Sequence, residues 1–220
     1  VRLFHITAIQ NLAGICASGE LVSKNLGAAQ GVAYQNIAHS GAQGARANKQ
    51  VAVPPHGGIH DYVPFYFAPR SPMLSAIHAG KVGGCNLAQD EIIHFETTID
   101  SAIDGGVPFV FYDHNATLAY SQAFNDLQHL DKVAWGLITQ APQLDGYCKY
   151  FHDKHDNPSL TDRRAKRQAE FLVYQRIPLA RIHRIGVANA ARADEVRAVL
   201  ADADVKLKVE IKTDWYFLNQ

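Results

Sequence analysis

The sequence has no net charge and little sulfur: 21 Lys and Arg balance 21 Asp and Glu, with one Met and three Cys among 220 residues. Neutrality removes the simplest argument for a polyanionic partner while leaving room for a local basic groove. Three cysteines at wide spacing (Cys16, Cys85, Cys148) do not make a disulfide framework, and they predict reduced thiols in a cytosolic setting. No apolar run approaches a membrane span, and the opening VRLFHITAIQ lacks the charged-then-apolar order of a signal peptide. Also missing are a Walker lysine loop, a Gly-x-Gly-x-x-Gly after a strand, Cys-x-x-Cys, His-Glu-x-x-His and a Gly-x-Ser-x-Gly elbow. Their absence sets aside the common phosphate cradles, zinc centres and serine hydrolases. The one tight histidine pair, in His152-Asp153-Lys154-His155, reads as a solvated loop, so no metal is expected.

What is present is an ordinary globular composition, 47% hydrophobic and 19% charged, at a length that suits one domain, 1–220, with a sizeable core. Short strands are predicted at Leu3–Ile6, Val63–Phe67, Glu91–Phe95, Val107–Phe111, Glu170–Tyr174, Arg181–Val187 and Leu207–Ile211. Apolar spacing predicts a helix from Ile9 to a stop at Gly19 and another over Arg192–Leu200. Ser71 followed by Pro72 predicts a third, running to Gly80, and Thr117–Val133 a longer fourth. Val22–Gly58 and Gln143–Lys166 carry no clear periodicity, and such long unpatterned stretches are usually functional or disordered. Strands and helices mix without strict βαβ alternation, which gives an α+β class.

Three blocks carry more: His5-Ile6-Thr7, the run from His60 through Tyr62-Val63-Pro64-Phe65-Tyr66-Phe67-Ala68-Pro69-Arg70-Ser71-Pro72-Met73-Leu74, and Gln168-Ala169-Glu170-Phe171-Leu172-Val173. In order and spacing they resemble the DarT family, the DNA ADP-ribosyltransferase toxins of DarT–DarG toxin–antitoxin systems. The likeness runs from Phe4 to Lys212-Thr213-Asp214-Trp215-Tyr216. It implies an ADP-ribosyltransferase-like split β-sandwich with surrounding helices and an NAD+ cleft. It also implies transfer of one ADP-ribose from NAD+, as substrate, to a base in single-stranded DNA, with thymine as the expected acceptor. A macrodomain partner, DarG, that removes the mark and binds the toxin is implied too. The alternatives are the same transfer to guanine, RNA or protein, or a catalytically silent module that binds NAD+ or nucleic acid. The expected location is the cytoplasm, without a membrane.

The residues can be weighed one by one. His5 and Thr7, two apart on a strand, share a face. By themselves they fit either a hydrogen-bonded core histidine or a contact to ribose and carboxamide; the resemblance assigns them to NAD+. Asn11 fits a helix cap or a cofactor contact equally well. Of Tyr66 and Phe67, alternation sends one to the core, leaving Tyr66 to stack on nicotinamide with Met73 against the same ring. Arg70, held between prolines, suits a phosphate. Arg46 alone reads as a solvated loop charge, but the resemblance places it on an arginine needed for activity, at the cofactor. Glu170 opens an apolar strand, and the resemblance makes it the catalytic carboxylate. Breaking the nicotinamide–ribose bond builds an oxocarbenium-like cation that a carboxylate can stabilise. For DNA, the expected contacts are Arg70, the turn residue His114, and Tyr147, Tyr150, Arg163, Arg164 and Lys166. Aromatics interleaved with cations, Arg167 among them, offer stacking surfaces and phosphate neutralisation.

Overall fold

The computed structural model describes residues 1–38, 40–141 and 162–218. Its strands in chain order are β1 (Arg2–Ala8), β2 (Glu20–Val22), β3 (Tyr62–Tyr66), β4 (Ile92–Thr98), β5 (Phe109–Tyr112), β6 (Ala123–Phe124), β7 (Glu170–Tyr174), β8 (Arg176–Pro178), β9 (Arg184–Val187) and β10 (Val209–Ile211). The helices are α1 (Leu12–Ser18), α2 (Lys24–Ala29), α3 (Ser40–Asn48), α4 (Pro72–His78), α5 (Ile99–Ala102), α6 (Trp135–Ile138), α7 (Arg163–Lys166) and α8 (Ala190–Asp202). Eight strands form one sheet in the order β10-β9-β4-β1-β3-β7-β5-β6, while β2 and β8 pair separately. No helix among the described residues is long and apolar enough to cross a membrane.

The large sheet is joined unevenly. β1 pairs with β4 along its length, from Arg2 opposite Thr98 to Ala8 opposite Ile92. With β3 it pairs at one position, Phe4 opposite Tyr66. Beyond that pair the strands part, and the sheet divides into two halves.

Packing follows the division. On one face Leu3, Phe65, Phe95, Phe111, Phe171 and Ile185 form a continuous core with Leu12 of α1 and Val196 of α8. The other face carries two smaller clusters. Phe4, Ile6 and Ile92 pack with Leu74 of α4 and with Trp215 and Phe217. Tyr62, Val110, Tyr112 and Leu172 pack with Val51, Ile59 and Ala116. Trp215 lies so close on β9 that a Cβ at Gly186 would stand 2.1 Å from its ring, a position only glycine fills. Gly19 ends α1 in the left-handed region, at φ 70°, and donates to the carbonyls of Ile15 and Cys16, as glycine caps do.

Every predicted strand is present; β2, β6 and β8, at two or three residues, gave too short a pattern to see. Two expectations differ. Thr117–Val133 is not a helix but β6 followed by a 3-10 segment, Leu127–Lys132. Short polar side chains capture the backbone there: Asn115 Oδ1 accepts from Thr117 N, Asp113 Oδ1 from Gln122 N, and Asp126 Oδ1 from Gln128 N, in competition with helical bonding. Conversely, the unpatterned Val22–Gly58 contains α2 and α3. They lack an apolar stripe because residues on both line a cavity.

Candidate active site

A cavity of about 680 Å³ opens at the split between β1 and β3. It gathers residues from both faces of the sheet: His5 and Thr7 from one, Tyr66 and Glu170 from the other, with Arg46 of α3 and Met73 of α4.

His5 Nδ1 lies 2.8 Å from the Pro64 carbonyl, bridging the parted strands. A carbonyl only accepts, so Nδ1 carries the proton and Nε2 is left as the ring's acceptor. Burial lowers the pKa of this imidazole, against the opposing pull of the Pro64 carbonyl, and keeps it neutral. Asn11 does not cap α1 through its side chain. Its Nδ2 donates to Thr7 Oγ1 at 2.9 Å and to the Gln35 carbonyl at 3.0 Å, and its Oδ1 accepts from Gln35 N at 2.6 Å. Asn11 thus clamps the segment around Gln35 to the end of β1, over the cavity.

Across the split, β7 sets Glu170 in register with Tyr66 on one side and Tyr112 on the other. Directly opposed residues share a face, so the carboxylate stands between two phenols. Arg46 Nη1 donates to Glu170 Oε1 at 2.8 Å. Burial works to lower the Arg46 pKa, but the neighbouring carboxylate outweighs it and the net shift is upward. Burial first, then the Glu170 charge, raises both phenols, Tyr112 to about 12. Oε1 is held by Arg46, and Oε2 makes no hydrogen bond within the described residues, leaving one carboxylate oxygen ready for a ligand. Phe67 turns to the core against Trp135 and Phe171, and Tyr66 lines the cavity as alternation predicts. α4 starts as predicted, with Ser71 Oγ accepting from Leu74 N at 3.1 Å.

The residues expected to touch DNA divide. Arg164 lines the cavity, beside Asn115, Thr117 and Tyr120. Arg163 and Lys166, on the same short helix α7, and His114 do not; His114 Nδ1 is 2.9 Å from Asp113 Oδ1 and its ring meets Tyr120 edge-on. Arg70 stands outside the cavity with its guanidinium 5.7 Å from the Phe217 ring centre. Tyr147 and Tyr150 lie outside the described residues. Arg167 is structural rather than a loop cation: it is buried and donates to the carbonyls of Leu137, Ile138, Gln140 and Arg70, fixing the approach to β7. Sequence reasoning missed Lys24, His60 and Tyr120 on the cavity wall. His60 sat unassigned in the longest motif, and Tyr120 was hidden in the predicted helix.

The family model described as "ssDNA thymidine ADP-ribosyltransferase, DarT" matches residues 4–217. The chain belongs to the DarT family. Among its relatives, a DNA ADP-ribosyl transferase of a Thermus species is 36% identical, over 98% of this chain and 95% of its own. One from Escherichia coli is 30% identical over 83% and 78%. The solved Thermus DarT in complex with ADP-ribosylated single-stranded DNA superposes with a TM-score of 0.83 at 34% identity, covering 98% of this chain and 95% of that one. The same protein with NAD+ gives 0.81 at 33%, over 98% and 96%.

Proposed function

We propose that this DarT transfers ADP-ribose from NAD+ to a thymine base of single-stranded DNA, releasing nicotinamide, with the cavity at the β1–β3 split as its active site. The observation that carries the reading is the Arg46–Glu170 pair beside Tyr66, with one Glu170 oxygen unengaged among the described residues. His5 and Thr7 hold the NAD+ from one side of the split, and Tyr66 and Met73 flank the nicotinamide. Asn11 keeps the covering segment in place.

In the reaction the C1′–N bond to nicotinamide breaks and its electron pair leaves with nicotinamide. The ribose becomes oxocarbenium-like, and Glu170 stabilises that charge through the ribose 2′-hydroxyl. A base nitrogen on the Watson–Crick edge then attacks C1′, and its proton passes to the Glu170 carboxylate and from there to solvent. Arg46, anchored on Glu170, has further N–H donors for the base carbonyl, which acidifies that proton. Arg164, at the cavity rim, neutralises a strand phosphate. The eight-stranded sheet, built from strands between Arg2 and Ile211, supports one catalytic unit. The half of the Thermosipho africanus DarTG chain that this protein covers, with a TM-score of 0.74, supports the fold alone. A separate DarG macrodomain partner and a cytoplasmic setting remain part of the proposal, carried by the family resemblance and by the DNA substrate.

The test is nicotinamide release with and without a thymidine-containing oligonucleotide, with mass spectrometry of the strand. A mass increase of one ADP-ribose on the oligonucleotide is the expected result. Release with no modified strand, or label on protein instead, would overturn the acceptor.

A further inference from the structure

His60 is 9% exposed and lines the cavity, yet among the described residues its Nε2 has no hydrogen-bond partner. A buried polar atom without a partner is costly, so an unfilled nitrogen on a cavity wall marks where a ligand atom completes the bonding. Its surroundings say which kind of ligand. His60 sits in the short turn Ile59–Asp61, against which α2 and α3 both pack. α2 begins with Lys24; α3 carries Gln43 and Arg46 three apart, on one helix face. Lys24 Nζ donates to Gln43 Oε1 at 2.6 Å, which ties the ammonium to the face that bears Arg46. All four residues line the same cavity.

Two cations, Lys24 and Arg46, act on the His60 ring, with Asp61 opposing them. Burial first, then Lys24 and Arg46, push the His60 pKa down to about 4, so the ring is neutral at pH 7. The adjacent carboxylate, Asp61, is occupied by Asn25 Nδ2 and Gly58 N. Gln43 takes one of the three Lys24 N–H donors and leaves two.

We propose that Lys24 and His60, next to Arg46, form an anion subsite that receives a phosphate group of a substrate through the Lys24 ammonium and the His60 Nε2–H. The inference rests on reading the cavity as the NAD+ and DNA site. It leaves two sources for the same chemistry: the diphosphate of NAD+ and a backbone phosphate of the acceptor strand.

The experiment uses the full chain carrying Glu170→Gln to stop turnover, and compares it with versions that add Lys24→Met, His60→Phe or Lys24→Arg. Dissociation constants are measured for NAD+, for a thymidine-containing oligonucleotide and for inorganic pyrophosphate. Lys24→Met and His60→Phe should each weaken one substrate fivefold or more, with Lys24→Arg staying within twofold. Loss confined to NAD+ identifies its diphosphate; loss confined to the oligonucleotide identifies a strand phosphate. Unchanged constants for both substrates would overturn the subsite. Pyrophosphate separates this from the functional reading. If neither substrate binds the parent chain, pyrophosphate that binds it and is lost in Lys24→Met supports the subsite, and equal or absent binding overturns it. Lys24 is only half-buried, so Lys24→Met decides the matter if His60→Phe fails to fold.

Discussion

Phe4 and Tyr66 mark the one position at which β1 and β3 pair, and the candidate active site opens at the gap beyond them. A fully zipped β1–β3 ladder would leave His5 and Glu170 on opposite faces of a closed sheet. The single pair lets one cavity reach both. Tyr66 serves twice, as the last rung of the ladder and as the aromatic wall next to Glu170.

Replacing Glu170 by glutamine should lower kcat on the order of 10²–10³, the usual cost of removing one preset electrostatic partner of a transition state. The NAD+ dissociation constant should stay within a few-fold, since in the proposed reaction the charge facing Glu170 develops only in the transition state. Glu170→Ala should also lose stability, by roughly 3–5 kcal/mol, because it strips the partner from the largely buried Arg46. Single-turnover kinetics and denaturation curves measure the two effects separately. Near-normal turnover of Glu170→Gln would remove the carboxylate from the mechanism.

Two buried tyrosines should respond oppositely to loss of their hydroxyls. The Tyr112 hydroxyl is buried without a hydrogen-bond partner among the described residues, so Tyr112→Phe should raise stability by about 1 kcal/mol. The Tyr216 hydroxyl donates to the Ile92 carbonyl at 2.7 Å and also lies 3.2 Å from the Gly186 carbonyl and from His94 Nδ1. Tyr216→Phe leaves those groups buried and unmatched and should cost about 1–3 kcal/mol. Urea midpoints at pH 7.5 decide the signs.

Much of this arrangement was legible in the sequence, and the exceptions have physical causes. The long strands announced themselves because both faces of β1, β3, β4 and β7 are buried, which gives compact apolar runs. Glu170 stood out as a carboxylate opening such a run, and its role came from the resemblance, as did the role of Arg46. The register that places Glu170 between Tyr66 and Tyr112 is a long-range property that no local pattern encodes. α2 and α3 were invisible because helices over a cavity need no apolar stripe. Asn11 showed its side chain but not its use, since Gln35, its partner, lies 24 residues away.

Stability should fall with acid in a window set by buried histidines. His94 is fully buried between the Pro69 carbonyl and Tyr216, and burial brings its pKa from 6.5 down to about 4. The unfolded chain therefore takes up a proton that the folded protein refuses. The contribution is complete above about pH 6.5 and is lost progressively as pH falls toward 4, by about 3 kcal/mol in all. His60, also near 4, and His5, shifted in the same direction, add to the slope. Denaturant midpoints measured from pH 7.5 to 4.5 should fall steadily, and the fall should be shallower in His94→Gln. An equal slope in that variant would mean that other groups carry the acid sensitivity.

The enzyme should discriminate by strandedness. A thymine in a duplex offers its Watson–Crick edge to adenine, so attack from that edge needs a single strand or a flipped base. The rim of the cavity presents Arg164 and the exposed Tyr120 ring, whose hydroxyl is 3.3 Å from Asp162 Oδ1. Such a rim suits one phosphate and one stacked base, and among the described residues no helix is placed to enter a groove. With zero net charge in the chain, affinity should be modest and should fall with salt through a few phosphate contacts. An oligonucleotide with a reactive thymidine should be modified, and the same strand annealed to its complement should be modified little. Arg164→Gln should weaken oligonucleotide binding, reduce the salt dependence by about one phosphate contact and leave the NAD+ requirement unchanged. Equal labelling of duplex and single strand, or an unaltered salt slope in Arg164→Gln, would move the acceptor strand away from this rim.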